Sequence, residues 1–260
     1  MKKNLKLFFL FSKFSLKNTF QTSLGAAFFL MGKIIRFAFF FFLIYLIFSK
    51  TQLVRGYSLP QAIIFYLTFN LVDTVSQIMF REVYRFRYQV ISGSFDLTLT
   101  KPIHPFIKIL IGGVDFLDLI LLIPYIILLI VFISHIPVIT AKSIAGYFLL
   151  LIGSFMIATA FHIIVLALGI LTTQVDHTIM IYRDLTSLGR FPMAIYHEPI
   201  RSIFTFILPV GIMMSFPTEA LFNLLRPLYF LLAFLISFCL LFISLRLWNF
   251  ALKKYQSYGG

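Results

Sequence analysis

Five stretches of this chain, about Ala26 to Phe48, Leu59 to Phe80, Phe106 to Ile133, Ile144 to Leu171 and Leu228 to Phe250, are apolar almost throughout. Each is long enough to cross a bilayer as a helix, which takes about 20 residues, and a water-soluble domain has no use for five of them. Composition agrees. Of 260 residues 60% are hydrophobic and 12% charged, and the mean hydropathy is +0.99. No segment is polar enough to clothe a soluble lobe. The expected fold is one all-α integral membrane domain over residues 1–260, in a cell (plasma or inner) membrane.

Charge sets the topology. Lys2, Lys3, Lys6, Lys13 and Lys17 precede the first run, Lys33 and Arg36 lie just inside it, and the first acidic residue is Asp73. The positive-inside rule keeps that end cytoplasmic. The first run is too long for a signal-peptide core and lacks a small-residue cleavage site after it. Between the lysines, Leu5, Phe8, Phe9, Phe11, Phe14 and Leu16 suit an amphipathic helix lying in the interface over residues 1–25. The loop after the second run carries Arg81, Arg85, Arg87, Lys101 and Lys108, and the C-terminal end carries Arg246, Lys253 and Lys254, so both are assigned to the cytoplasm. The formal net charge of +13 then marks topology and contact with anionic lipid rather than nucleic-acid binding.

Two cytoplasmic termini require an even number of crossings, hence six. The missing one lies between Leu171 and Leu228, where two assignments stay open. Hydropathy favours Ile203 to Phe216, although it is short and contains Pro209, with Thr172 to Leu188 left as a cytoplasmic loop. The alternative makes the polar segment from Thr172 to Leu188 the fifth span, stopped by Gly189 and Pro192.

No motif of covalent chemistry is present: no His-Glu-x-x-His, no Gly-x-Ser-x-Gly, no dinucleotide fingerprint. Met31-Gly32-Lys33-Ile34 lacks the upstream glycine and the following hydroxyl of a phosphate loop, so ATP hydrolysis by this chain is not expected. Cys239, the one cysteine, allows neither an intrachain disulfide nor a cysteine-based metal site. His162 reads as a packed core residue, and His177 beside Asp176 as a loop or interface pair. Asn70, Asp73, Thr74, Gln77 and Arg81 share one helical face, which should meet protein or water because a charge at mid-membrane costs about 2.5 kcal/mol or more. That stripe is either a wall of a translocation path or subunit interface, or the polar bonding that holds the bundle together. Asp115 and Asp118 begin the third run, with Lys101, Lys108 or Arg87 as expected partners.

The segment from Arg81 to Pro105 reads as a rigid amphipathic elbow. It continues the second helix, breaks at Gly93, restarts at a turn Asp96 can cap, and enters the third run through Pro102 and Pro105. Ile91, Ser92, Gly93, Phe95, Asp96, Leu99, Lys101 and Pro102 resemble the Gly-x-(hydrophobic)-Asp-x-x-Leu-x-(Lys/Arg)-Pro pattern of ABC-2-type exporter permeases, in the six-span branch found as paired permeases with a separate ATPase. Gly189 to Tyr196, Arg201, Phe206 to Val210 and Phe216 to Ala220 are similar to a second pattern of that branch. The resemblance implies that the elbow, residues 81–105, is the coupling helix that docks on a nucleotide-binding subunit, with Arg85, Arg87, Gly93, Phe95, Asp96, Lys101 and Pro102 as coupling residues. It implies a dimer of ABC ATPase subunits holding ATP and Mg, no cofactor on this chain, and a second permease, identical or homologous. On the wider template Asp176 to Leu188 crosses and residues 189–217 form a re-entrant hairpin. Asp176, Arg183 and Asp184 then join Asn70, Asp73, Thr74 and Gln77 beside the path. The readings left open are a membrane-embedded lipid-modifying enzyme using Asp73, His162 or His177, and a proton-coupled secondary transporter built on the Asp73 stripe.

Overall fold

A computed structural model describes residues 9–17, 23–50, 56–101, 105–110, 113–136, 139–172 and 175–256. Lys2, Lys3, Lys6 and Pro102 lie outside them, as do the side chains of Arg87, Asp176 and His177. The described residues are helical and contain no strand.

Residues 9–17 form a short helix, α1. Four of the expected apolar runs appear nearly as read: α2 (Ser23–Lys50), α3 (Leu59–Phe80), α8 (Ala141–Thr172) and α13 (Pro227–Lys254). The third is shorter. Helix α7 begins at Phe116 and ends at Ser134 because Asp115 caps it, its carboxylate accepting from the amides of Leu117 at 3.0 Å and Asp118 at 3.5 Å. The start of the expected run is instead a separate helix, α6 (Pro105–Leu110). Gly113 follows it at φ 156°, where a Cβ would stand 3.3 Å from the carbonyl oxygen of Phe11 in α1.

Among the described residues, five helices are long and apolar enough to cross a membrane. Helices α3 and α8 form the centre, α3 packing along α7 and α8 along α13. Small residues allow the close approach of α8 and α13: the Ser237 hydroxyl donates to the Gly153 carbonyl at 3.3 Å, and a Cβ on Gly146 would meet the Phe230 ring at 3.3 Å. Helices α2, α7 and α13 turn rows of exposed Phe, Leu and Ile outward, a surface that suits lipid rather than water.

Between the second and third runs the chain forms a 3-10 turn (Arg81–Arg85), α4 (Phe86–Ile91) and α5 (Ser94–Leu99). Gly93 makes the corner at φ 67°, a left-handed conformation that a side chain would strain. The end of α13 returns to this elbow, where the Tyr255 hydroxyl donates to Asp96 at 2.8 Å. The starts of α2 and α7 lie there too, joined by the Lys33–Asp118 ion pair. The opposite end of the bundle is marked by the Ser143 hydroxyl bonded to Asn223 at 3.1 Å.

From Thr172 onward the two assignments can be compared with the backbone. The polar segment forms α9 (Val175–Ser187), whose Tyr182 packs against His162 with ring centroids 4.8 Å apart, close to the elbow end. Two 3-10 turns, Leu188–Arg190 and Met193–Ile195, carry the chain on until Ile195 lies with Ile44, Phe48 and Tyr57 at the other end. The apolar stretch favoured by hydropathy is not one helix. It divides into α10 (Ile200–Ser202) with a π-helical turn (Ile203–Ile207), a break at Leu208 and Pro209, α11 (Val210–Met214) and α12 (Phe216–Leu221). Proline has no amide hydrogen to continue the ladder, and the Leu208 amide bonds back to Ile203 at 3.0 Å. Helix α11 is buried along its whole length. It sits against Gly189, where a Cβ would be 2.9 Å from the Cβ of Met214.

Candidate functional site

Two regions concentrate the polar and exposed apolar residues that the bundle itself does not require: the elbow, and a cavity between α2, α3 and α9.

The elbow is anchored from beneath. Phe86 and Phe95 are both fully buried, ring edge against ring face at 5.2 Å, and Phe95 also meets Tyr255 at 5.0 Å. Trp248, on the last turns of α13, is buried between Phe86 at 6.4 Å and Phe106 at 5.6 Å. Lys108 donates to Thr98 at 3.0 Å; partial burial, with Lys101 nearby, pushes its ammonium below the usual lysine range. The outer surface differs in kind. Tyr88 is 77% exposed, Leu97 64% and Ile91 51%, with Lys101 and Arg85 exposed beside them. Arg85 bonds Glu82 at 2.9 Å within its own turn.

The expected coupling residues thus divide. Arg85 and Lys101 are on the outer surface, Gly93 shapes the corner, Phe95 is inside, and Asp96 is half-buried and bonded to the C-terminal Tyr255. Asp96 sits in the first turn of α5, where a carboxylate also suits the helix dipole.

The stripe on α3 faces protein, as its charge demands. Gln77 is its hub: its amide nitrogen donates to Asp73 at 2.8 Å and its oxygen accepts from Lys33 at 3.0 Å. Lys33 pairs with Asp118, which is fully buried, and Arg81 pairs with Asp115 at 3.1 Å. Asp115 and Asp118 therefore take their partners from the 3-10 turn after α3 and from α2, not from Lys101 or Lys108; the side chain of Arg87 lies outside the described residues. Asn70 turns its amide back to the Tyr66 carbonyl at 2.7 Å, and Thr74 is buried. The network runs through three helices from the elbow end to Asp73.

Asp73 opens into a cavity of about 390 Å³ lined by Arg36, Phe69, Asp73, Met180, Arg183, Asp184, Thr186, Ser187 and Arg190. That volume falls in the range of small-molecule sites, about 300–1,000 Å³. The structure brings Asp73, Arg183 and Asp184 together here and leaves Asn70, Thr74 and Gln77 outside the lining. Arg36 and Arg190 complete it. Arg36 reads in the sequence as a topology charge; its position one helical turn beyond Lys33 is the signal that both face α3. Arg190, half-buried, lies over the rings of Phe40 at 4.6 Å and Phe69 at 5.5 Å, a cation–π arrangement that holds the guanidinium in place.

Arg190 also borders a second, apolar chamber of about 240 Å³, lined otherwise by Ile44, Ile47, Phe48, Tyr57, Ala62, Phe191, Pro192 and Ile195.

His162 belongs to neither. It is 2% exposed, packed between Phe80, Tyr84 and Tyr182, with Nδ1 bonded to the Ala158 carbonyl at 2.7 Å. No open face is left for a substrate. Among the described residues no three His, Cys, Asp or Glu side chains converge as a metal site.

Neither curated proteins nor solved structures give a significant match to the chain. The family model described as ABC-2 family transporter protein matches residues 34–259, which include the elbow, the lining of both chambers and all of the long apolar helices except the first part of α2. A multi-pass bundle of apolar helices with a polar cavity suits a transporter membrane domain, and the chain belongs to the ABC-2 transporter family.

Proposed function

We propose that the chain is the permease subunit of an ABC exporter, working beside a second permease and driven by a separate ATPase that docks on the elbow. The carrying observation is the elbow's two-sided construction. Tyr88, Ile91 and Leu97 are exposed, while Phe86, Phe95 and Trp248 fix their position from below. An exposed apolar cluster ringed by Arg85 and Lys101 suits a groove on a soluble subunit better than it suits water. Phe95 and Asp96 act in this reading as struts that transmit force. Closure of the ATPase pushes α5, Asp96 pulls on Tyr255 and α13, and the 3-10 turn passes the motion into α3 and its stripe.

In this account α9 and its following turns are the fifth crossing and residues 200–221 a hairpin at the outer end. Six crossings then put both termini and the elbow in the cytoplasm, in agreement with the basic residues there. Nucleotide binding and hydrolysis belong to the partner. The chain alternates between states that bind the closed and open ATPase with different affinity.

Affinity purification of the full chain from its native membrane in mild detergent tests this. ATP-hydrolysing activity should co-elute, and Tyr88→Glu combined with Leu97→Glu should release it while leaving the chain monodisperse. Retention of the ATPase by that double variant would refute docking at the elbow.

A further inference from the structure

The polar cavity carries three guanidinium groups, Arg36, Arg183 and Arg190, against two carboxylates, Asp73 and Asp184. Asp73 already accepts from Gln77. None of the three arginines makes an ion pair among the described residues. A transporter that needed only to stabilise its bundle would pair them, as it pairs Lys33 and Arg81 a few residues away. With three guanidinium groups against two carboxylates and no ion pair between them, the cavity keeps a surplus of positive charge, which is matched to phosphate or carboxylate oxygens bound by charge-assisted, often bidentate hydrogen bonds.

Arg190 is the wall common to the polar cavity and the apolar chamber, and Phe40 and Phe69 fix its position. A ligand whose charged group meets Arg190 in the polar cavity is therefore within one side chain of the apolar chamber. We infer that the two chambers form one binding site for an anionic amphiphile, with its phosphate or carboxylate head among Arg36, Arg183 and Arg190 and its apolar portion in the chamber beside Ile195. The inference rests on the permease reading, since it names the class of substrate that reading leaves open. The site also accounts for the polarity of α9: Arg183 and Asp184 line the open side of the cavity, and hydropathy falls accordingly.

Binding is measurable on the purified full chain with no ATPase present, so its outcome is separate from that of the docking experiment. Radiolabelled dodecyl phosphate, added to the chain in dodecyl maltoside and read by scintillation proximity, should bind saturably. Unlabelled dodecyl phosphate should displace it; inorganic phosphate and dodecyltrimethylammonium at the same concentration should not. Arg183→Gln and Arg190→Gln should each weaken binding about tenfold, the scale of one charge-assisted contact, and Arg183→Lys should recover part of the loss. Equal displacement by the cationic surfactant would overturn the anionic head, and equal displacement by inorganic phosphate would overturn the apolar portion. Should Arg190→Gln fail to fold, Arg183→Gln on the exposed side of the cavity decides: unchanged binding in a monodisperse Arg183→Gln protein refutes the site.

Discussion

Replacing Lys33 by Met removes one partner of a buried ion pair. Asp118 is fully buried, its Oδ1 bonded to Lys33 and its Oδ2 without a partner. Asp115 is already committed to Arg81, so no second cation stands ready to replace the lysine. Stripping one member from such a pair costs about 3–5 kcal/mol, because the remaining charge is left uncompensated. That is between roughly a hundred-fold and several thousand-fold in the folding equilibrium. Lys33→Met with Asp118→Leu removes both charges together and should recover most of the loss. Gln77 loses its bond from Lys33 in both variants, so the cycle isolates the charge pair. Unfolding of the detergent-solubilised chain by added dodecyl sulfate, followed by circular dichroism, reads the difference. A Lys33→Met protein within about 1 kcal/mol of the parent, a typical surface-pair value, would refute the reasoning; so would a double variant no more stable than the single one.

Tyr255→Phe deletes the hydroxyl that bonds Asp96; the chain should stay folded, losing about 1 kcal/mol, while ATP hydrolysis by the assembled complex loses its coupling to transport. Gly211→Ala places a Cβ 2.7 Å from the Thr205 hydroxyl and 3.0 Å from its Cα, so overpacking of about 1–3 kcal/mol should lower the yield of monodisperse protein. Ile195→Cys in a Cys239→Ser background should react with an impermeant maleimide added outside intact cells and not with the reagent confined to the inside; labelling from the inside alone would return α9 to the cytoplasm.

The long helices are legible because a bilayer admits few alternatives: α2, α3, α8 and α13 end within a few residues of where apolar character ends. The third run misleads because hydropathy does not register a cap, and Asp115 ends the apolar continuity that Phe106 to Ile133 displays. The interval after Leu171 is harder for a related reason. Hydropathy asks whether residues suit lipid, whereas α9 packs its faces on α8 and a cavity, and α11 is enclosed by protein. Pro209 and Pro192 signal that Ile203 to Phe216 is not a plain span, yet only tertiary contact orders the pieces.

The site divides in the same way. Asp73 and Gln77 are visible from helical spacing, since a charge inside an apolar run must face something other than lipid. Phe95 and Asp96 stand in the right motif, but the sequence does not tell an outward-facing residue from a strut, and their burial depends on Trp248 and Tyr255, more than 150 positions away. Arg36 and Arg190 lie 154 positions apart, and no local pattern links two arginines that only the α2–α3–α9 packing brings to one cavity.

The central claim, that the elbow is where an ATPase engages this permease, is tested most directly by a photo-crosslinking side chain at Leu97 in the native membrane. The account predicts a covalent product joining the chain to a nucleotide-binding ATPase, absent when the same group is placed at the outward-facing Phe238 of α13. Crosslinks from Leu97 to lipid or to another copy of this chain alone, or equal capture of the ATPase from Phe238, would contradict it.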